Sequence, residues 1–210
     1  MTPEQRQVEA ACGELGVQAP ELLRRLPDLL QHIGRFARRW NLVGDPTPAG
    51  LVREHVLEAV ALVAAVHRVG HTPSRIVDVG AGAGVESLCL LLALPQAQLV
   101  AVEPRSRRAD AIEVVGDLVG VGRRLRVVRS RLFEVDLGSP FDLAVSRATF
   151  APDEWLRHAS TLLATGGFVA AHVDRARDLD ALAAEAQLTH RVAVAVPTAA
   201  DHVVALAQWR

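Results

Sequence analysis

The sequence predicts an α/β protein in which a mostly parallel sheet is covered by helices and preceded by a helical segment. From Arg75 onward, short β-branched apolar runs alternate with helical patterns, which is typical of a parallel sheet covered on both faces. The last two apolar runs stand too close together for a crossover helix and therefore predict an antiparallel hairpin. Ahead of the first strand, the chain carries only helical patterns.

Residues 1–70 are predicted to form an N-terminal helical cap, and residues 71–210 the second domain. The first helix begins at Thr2-Pro3-Glu4-Gln5, where threonine can cap the helix, proline suits its first turn and glutamine completes a capping box. In the helical pattern that follows, Pro27 is predicted to begin a new helix. A further helix is expected over residues 51–69.

Seven strands are predicted after the cap. The parallel strands are expected at residues 75–79, 98–103, 125–129, 141–146 and 168–173, and the hairpin strands at residues 191–196 and 202–209. Helices are expected between the strands at residues 86–94, 105–119, 152–163 and 175–186. Five parallel strands and a terminal hairpin give a Rossmann-like seven-stranded sheet, which is the layout of class I methyltransferases that use S-adenosylmethionine (AdoMet).

Composition and charge limit the kind of protein. Half of the 210 residues are apolar, so the chain can bury a substantial core without metal or disulfide bonds. The formal net charge of −1 argues against a protein that coats nucleic acid by bulk electrostatics. All 23 basic residues are arginine, however, and their clusters at residues 24–39 and 105–131 are candidate phosphate contacts.

Localisation, metal content and oligomeric state are predicted from patterns that the sequence lacks. Cys12 and Cys89 have no CxxC spacing, no secretory signal is evident, and no apolar stretch reaches the roughly 20 residues of a membrane helix. A cytoplasmic protein without membrane attachment is therefore expected. No His, Cys and Asp cluster has zinc-ligand spacing, so no metal is predicted. A monomer is expected because no long exposed apolar stripe is evident.

The most informative motif is a glycine-rich turn between a predicted strand and a predicted helix. It reads Asp78-Val79-Gly80-Ala81-Gly82-Ala83-Gly84 and is followed by Val85. Glycine lets the backbone turn sharply and approach a ligand closely. A dinucleotide site expects glycine or alanine where Val85 stands, and here the third glycine, Gly84, comes one residue early. This spacing favours AdoMet over a nicotinamide dinucleotide.

Glu103 ends the next predicted strand, about twenty residues after the turn, where an acidic side chain can accept hydrogen bonds from both ribose hydroxyls. The turn and Glu103 together predict an AdoMet site. Asp78 is expected to organise the loop by binding backbone amides. A tight turn without ligand, and a solvated charge at the end of a strand, stay open as alternatives.

The segment after the fourth predicted strand limits the methyl acceptor. It lacks the Asn/Asp-Pro-Pro-aromatic motif used on exocyclic amines, and it holds no cysteine to attack a pyrimidine carbon. A ring nitrogen such as guanine N7 has a lone pair and no proton to lose, so its methylation requires no general base. Three histidines are candidate bases for the alternative, a small-molecule O-methyltransferase: His55, His158 and His172. Three rings are candidates for base stacking or, alternatively, core packing: Trp40, Phe150 and Trp155.

Several short motifs between about Phe36 and the C-terminus form a recognisable set. They are Trp40-Asn41-Leu42, Leu51-Val52-Arg53-Glu54-His55-Val56-Leu57-Glu58, Ile76-Val77-Asp78-Val79-Gly80-Ala81-Gly82, Ser130-Arg131, and Phe141-Asp142 followed by Val145-Ser146-Arg147-Ala148. This set resembles the bacterial small-subunit (16S) ribosomal RNA guanine-N7 methyltransferases, the RsmG or GidB family. The resemblance implies an AdoMet-dependent enzyme that methylates guanine N7 and has small-subunit rRNA as its partner.

The resemblance also implies roles for individual residues. Gly80, Gly82 and Val85 would line the methionine end of AdoMet, with Gly84 completing the turn. Glu103 would hold the ribose, and Leu132 with Phe133 would flank the adenine. Arg147 would lie at the cofactor and acceptor site as the one catalytic residue, acting by positioning and not as a general base.

The chain departs from the family pattern at several places. The turn continues Ala83-Gly84-Val85-Glu86-Ser87 where the family has Pro-Gly-Leu-Pro-Gly, and Glu54-His55-Val56-Leu57-Glu58-Ala59 replaces Arg-His-x-x-Asp-Ser. His172-Val173 stands where a lysine is expected after the fifth strand. Fewer basic residues would weaken binding to an RNA backbone. Two alternatives therefore stay open: a diverged methyltransferase acting on a small molecule or another RNA, and a non-catalytic AdoMet-fold binding protein.

Overall fold

The computed structural model describes residues 1–138, 140–175, 178–197 and 199–209. The chain begins with four helices, and a π-helical turn at Val52–Val56 lies between the last two. They are α1 (Pro3–Leu15), α2 (Pro20–Trp40), α3 (Pro48–Leu51) and α4 (Leu57–Arg68). The predicted capping box at the start of α1 is confirmed, since Thr2 and Gln5 bond each other's backbone amides.

The prediction that Pro27 begins a new helix is wrong, because α2 runs through Pro27 without interruption. Proline inside a helix leaves the carbonyl one turn earlier without its usual donor. Here that carbonyl belongs to Leu23, and it accepts a hydrogen bond of 2.9 Å from Nε2 of Gln5 in α1. The neighbouring helix thus supplies the donor that Pro27 lacks, and α2 continues.

Replacing Gln5 with alanine is expected to lower the free energy of unfolding by about 1–2 kcal/mol, because the cap and the donor to Leu23 are both lost. Adding Pro27→Ala should recover part of this loss, since alanine restores a backbone N–H inside α2. Urea unfolding of both single variants and the double variant measures the coupling. Strictly additive effects would contradict the link between the two helices.

Within the described residues, seven strands form one sheet. They are β1 (Arg75–Val79), β2 (Gln98–Val102), β3 (Leu125–Val128), β4 (Phe141–Ser146), β5 (Leu163–Asp174), β6 (Leu188–Val196) and β7 (Ala199–Trp209). The strand order is β3-β2-β1-β4-β5-β7-β6, and β7 pairs antiparallel with β5 and β6 while the other neighbours are parallel. The predicted class I methyltransferase fold, with its terminal hairpin, is confirmed.

Four more helices connect the strands: α5 (Val85–Ala93), α6 (Ser106–Leu118), α7 (Pro152–Ser160) and α8 (Leu179–Glu185). Two of them are shorter than predicted. Helix α7 ends early because β5 already begins at Leu163, which pairs with Phe141 of β4. Helix α8 starts only after Asp178, whose side chain caps it by accepting from the Ala181 amide. Residues 176 and 177 of the predicted helix lie outside the described residues.

Apolar side chains pack on both faces of the sheet. One core cluster joins the N-terminal helices, α5 and α6 to the sheet, and a second joins α7 and α8 to the opposite face. Residues from both sides of position 70 share the first cluster, and the division into two domains stays a prediction. Among the helices so described, none combines the length and apolar character that crossing a lipid bilayer requires.

The position of β1 explains where a ligand can bind. Strand β1 lies between β2 and β4, so the connections that follow β1 and β4 leave the sheet in opposite directions. In open α/β sheets a crevice forms at this point, outside the carboxyl ends of the strands. The glycine-rich turn follows β1, and Arg147 follows β4, so both are placed at the crevice.

Candidate functional site

Two cavities adjoin at the carboxyl ends of the parallel strands. The polar cavity, of about 300 Å³, is lined among others by Asp78, Glu86 and Arg147. The apolar cavity, of about 420 Å³, is lined mostly by hydrophobic side chains, among them Val79, Val102, Leu132, Phe133 and Phe150. Gly80 and Thr149 line both cavities. The two cavities therefore form one crevice with a polar half and an apolar half.

The glycines of the turn have left-handed backbone conformations and different surroundings. A Cβ atom at Gly80 would lie 1.9 Å from Oγ1 of Thr149, so only glycine allows this close approach. A Cβ at Gly82 (φ +61°) would meet nothing nearer than 3.9 Å, because Gly82 borders the polar cavity. Gly80, Gly82 and Val85 all line this cavity. Gly84 lines neither cavity and instead packs against Ile112 of α6.

Glu103 holds the glycine-rich turn in place. Its side chain is buried, Oε2 accepts a hydrogen bond of 2.9 Å from the Gly82 amide, and Oε1 accepts one of 2.9 Å from the Arg105 amide. The sequence placed Glu103 near the turn but did not indicate this contact. Each carboxylate oxygen retains a second lone pair. A bond to a ribose hydroxyl would use these lone pairs, and that role stays a prediction.

The side chain of Asp78, near the end of β1, connects the start of the turn to helix α5. It is fully buried and accepts a hydrogen bond from the hydroxyl of Ser87 in α5. Burial and the neighbouring carboxylate of Glu86 raise the pKa of Asp78 to about 7. Near pH 7 Asp78 is therefore only partly ionised, whereas, despite burial, the pKa of Glu86 is lowered by the neighbouring His172, so Glu86 carries the negative charge at this wall of the polar cavity.

Replacing Asp78 with asparagine is expected to stabilise the protein more at pH 8 than at pH 5. A folded-state pKa of about 7, against 3.8 in the unfolded chain, means that the folded protein binds more protons in this window and loses stability as the pH rises. Asparagine stays neutral and can still accept from Ser87. The gain in unfolding free energy at pH 8, relative to pH 5, should exceed about 1 kcal/mol in urea titrations. Equal effects at both pH values would contradict an ionised buried Asp78.

Arg147 connects the polar cavity to the N-terminal helices. Its Nη1 donates to the Glu54 carbonyl at 2.8 Å and to Oε2 of Glu58 at 2.9 Å, and its Nη2 contacts Nδ1 of His55. Burial, together with the charge of Arg147, lowers the pKa of His55 to about 4. His55 is therefore neutral near pH 7 and accepts from Arg147. These contacts fix the guanidinium at the wall of the cavity.

The backbone around Arg147 has a special conformation. Ser146 is buried and its hydroxyl donates to the Val79 carbonyl at 2.8 Å, which joins the ends of β4 and β1. Ala148 has a positive φ of 55° and lines the polar cavity. Residues other than glycine rarely adopt a positive φ, and backbone strain of this kind is found at functional sites. Thr149 follows Ala148 in the chain, and its side chain lies against Gly80.

Leu132 and Phe133 lie in a short 3₁₀ turn, Leu132–Glu134, and both line the apolar cavity, while their role beside the adenine stays a prediction. Phe133 is 65% exposed and contacts the ring of His158 edge-on. Of the rings considered for base stacking, Phe150 lines this cavity. Trp155 is buried and donates to the Ala170 carbonyl at 2.8 Å, and Trp40 packs on Phe36.

Many of the clustered arginines are engaged within the protein. Arg129 pairs with Asp110 and Glu113, and Arg124 donates to one carbonyl in the last turn of α5 and to two in the loop between α5 and β2. Two others border the crevice, since Arg108 lines the polar cavity and Arg131 the apolar one. Arg123 and Arg126 lie at the opposite, amino-terminal edge of the parallel strands. The clustered arginines therefore do not lie on a single face of the protein.

Comparison with known proteins gives a consistent result. The sequence model of the GidB family, described as rRNA small subunit methyltransferase G, matches residues 22–204. The chain is 33% identical over 114 residues to Ribosomal RNA small subunit methyltransferase G of Rhizorhabdus wittichii, which covers 54% of this chain and 51% of that protein. The protein of the same name from Methylibium petroleiphilum is 31% identical over 143 residues, covering 66% of this chain and 64% of that protein. The chain thus spans about half to two thirds of these relatives.

Solved structures support the fold. The AdoMet-dependent methyltransferase SibL in its apo form matches with a TM-score of 0.64 at 16% identity, covering 99% of this chain and 74% of that one. The 1,6-didemethyltoxoflavin-N1-methyltransferase of Burkholderia thailandensis, with substrate and S-adenosylhomocysteine bound, matches with a TM-score of 0.57 at 18% identity, covering 92% and 91%. At these identities the similarity concerns the fold alone.

Proposed function

This chain belongs to the GidB family of rRNA small subunit methyltransferase G proteins, and we propose that it transfers a methyl group from AdoMet to small-subunit rRNA. The observation that carries the proposal is the crevice whose polar and apolar halves meet at Gly80 and Thr149. AdoMet itself joins a charged amino-acid end to an aromatic adenine, and when bound it supplies an electrophilic methyl group on sulfur.

The residues of the crevice fit the two ends of this cofactor. In the polar half, Asp78 and Glu86 offer carboxylates to an ammonium group, and the turn around Gly82 leaves open space. In the apolar half, Leu132, Phe133 and Val102 offer hydrophobic surface to a base, and the ring of Phe133 can stack on it. Glu103 is hydrogen-bonded to the turn at the Gly82 amide, and we assign its remaining lone pairs to the ribose hydroxyls.

The state of the histidines favours guanine N7 as the acceptor. An effective general base has a pKa close to the working pH, whereas His55 has a pKa of about 4 and is held by Arg147. His158 and His172 line neither half of the crevice. A ring nitrogen needs no base, and positioning its lone pair against the methyl group is sufficient. We assign this positioning to Arg147, with contacts to the RNA backbone from Arg108 and Arg131.

The acceptor atom can be tested by removing it from the substrate. Two transcripts of the small-subunit rRNA would be compared, one with guanosine and one with 7-deazaguanosine, in which carbon replaces N7. We expect label from radioactive AdoMet to enter the first transcript only. Labelling of both would place the methyl group on another atom, and labelling of neither, with cofactor binding intact, would favour a small molecule or another RNA as substrate.

A further inference from the structure

Outside the two cavities, three side chains from separate elements converge on one point. They are Glu58 of α4, His172 of β5 and His202 of β7, and one ligand atom of each lies within 4.8 Å of the others. None of the three lines either half of the crevice. The proposed methyl transfer gives these three side chains no role as ligands. All three are polar and are partly or fully shielded from solvent.

His172 presents a nitrogen that lacks a partner. Its Nε2 lies 3.0 Å from Oε1 of Glu86, so Nε2 carries the hydrogen that this carboxylate accepts. The other ring nitrogen, Nδ1, is buried and has no hydrogen-bond partner among the described residues, and the side chain is only 4% exposed. A buried polar atom without a partner is costly unless a ligand or ion satisfies it.

His202 and Glu58 face this nitrogen. In the antiparallel register of β5 and β7, His172 is opposite Val204 and His202 is opposite Asp174, so both histidines project from the same face of the sheet. Their rings stack with centroids 5.9 Å apart. Within the described part of the chain, Nε2 of His202 is also buried without a hydrogen-bond partner, and its ion-pair contact is with Oε1 of Glu58 at 3.4 Å. One ligand atom from each of the two imidazoles and from the carboxylate therefore lies within 4.8 Å of the others.

We propose that Glu58, His172 and His202 bind a divalent transition-metal ion of the zinc class. Imidazole nitrogens prefer such ions to magnesium and calcium, which take oxygen ligands. Two histidines and one glutamate make a three-ligand set that leaves a fourth position for water. The ion would displace a proton bound at Nδ1 of His172 or at Nε2 of His202. It would also link α4 to β5 and β7.

The surrounding side chains already orient two of the three ligands. Glu86 accepts from Nε2 of His172, which leaves Nδ1 as the ligand atom, and Arg147 donates to Oε2 of Glu58, which leaves Oε1 at 3.4 Å from Nε2 of His202. Carboxylate support of a ligating histidine is a regular feature of metal sites. The positive charge of Arg147 lowers the affinity for a cation, whereas the negative charges of Glu58 and Glu86 raise it.

Calorimetric titration of the purified protein with zinc chloride near pH 7.5, without AdoMet or RNA, tests this inference directly. We expect saturable binding of one equivalent, and binding of cobalt(II) with the visible absorption of a four-coordinate site. His202→Ala and Glu58→Gln should each weaken zinc binding by about tenfold or more. As a matched control, His190→Ala removes a histidine of β6 that pairs with the exposed Asp180, and it should leave zinc binding unchanged.

Three results would overturn the inference. They are the absence of saturable binding to the wild-type protein, equal zinc affinity of the folded His202→Ala and wild-type proteins, or an equal loss in the His190→Ala control. Circular dichroism of each variant establishes that it is folded. Two ligand variants are used so that the test still stands if one of them is unstable. Because neither AdoMet nor RNA is present, the outcome does not depend on the proposed methyltransferase function.

Discussion

Replacing Gly82 with aspartate is expected to weaken AdoMet binding by more than about a hundredfold while the protein remains folded. The backbone at Gly82 is left-handed (φ +61°), a conformation that aspartate tolerates better than most residues, and a Cβ there meets no atom nearer than 3.9 Å. The new carboxylate would nevertheless occupy the polar cavity, whose wall already carries Asp78 and Glu86. Loss of space and added negative charge both act against the cofactor.

Gly70→Asp is the matched control for the Gly82 variant. Gly70 has almost the same backbone conformation (φ +66°) with nothing within 4 Å, but it follows α4 and lines neither half of the crevice. Calorimetry with AdoMet should show wild-type affinity for this control. Wild-type affinity of Gly82→Asp as well would remove the glycine-rich turn from the cofactor site.

Replacing Arg147 with alanine is expected to lower kcat at saturating AdoMet and rRNA by about a hundredfold, or about 3 kcal/mol of transition-state stabilisation. The guanidinium lines the polar cavity and is fixed there by Glu54, His55 and Glu58, so its loss removes a positioned charge from the acceptor side. Arg147→Lys should be intermediate, because an ammonium keeps the charge but lacks the two-pronged geometry.

A purely structural role of Arg147 would give a different pattern. It would lower the free energy of unfolding and leave kcat of the folded protein near the wild-type value, whereas a positioning role lowers kcat of the folded protein at saturating AdoMet and rRNA. Arg157→Ala is a suitable control, since Arg157 pairs with Asp153 at 3.0 Å on the exposed face of α7. Unchanged kcat of the Arg147→Ala variant would exclude Arg147 from the reaction.

Local patterns were enough to predict most of the fold. The capping box of α1, the strands and the terminal hairpin all follow from residue order within short segments. The two main errors arose where distant contacts decide the structure. Pro27 stays inside α2 because Gln5 of another helix satisfies Leu23, and β5 extends back to Leu163 because β4 pairs with it there.

The candidate site, like the fold, was predicted where local spacing determines it and was missed where distant segments meet. Gly80, Gly82 and Glu103 were predicted from spacing, because the turn and the end of β2 are adjacent in any sheet of this kind. The close approach of Thr149 to Gly80, and the bonds from Arg147 to the N-terminal helices, join segments far apart in sequence. The same holds for Glu58, His172 and His202, whose spacing along the chain resembles no metal motif.

Methyl transfer from radiolabelled AdoMet to deproteinised small-subunit rRNA, isolated from a strain that lacks this gene, tests the proposed function most directly. After digestion of the RNA to nucleosides, we expect the label in N7-methylguanosine, and none with the Gly82→Asp variant. If the protein binds AdoMet in calorimetry but leaves this rRNA unlabelled, both as free RNA and in small-subunit particles, then the assignment of rRNA as substrate is contradicted.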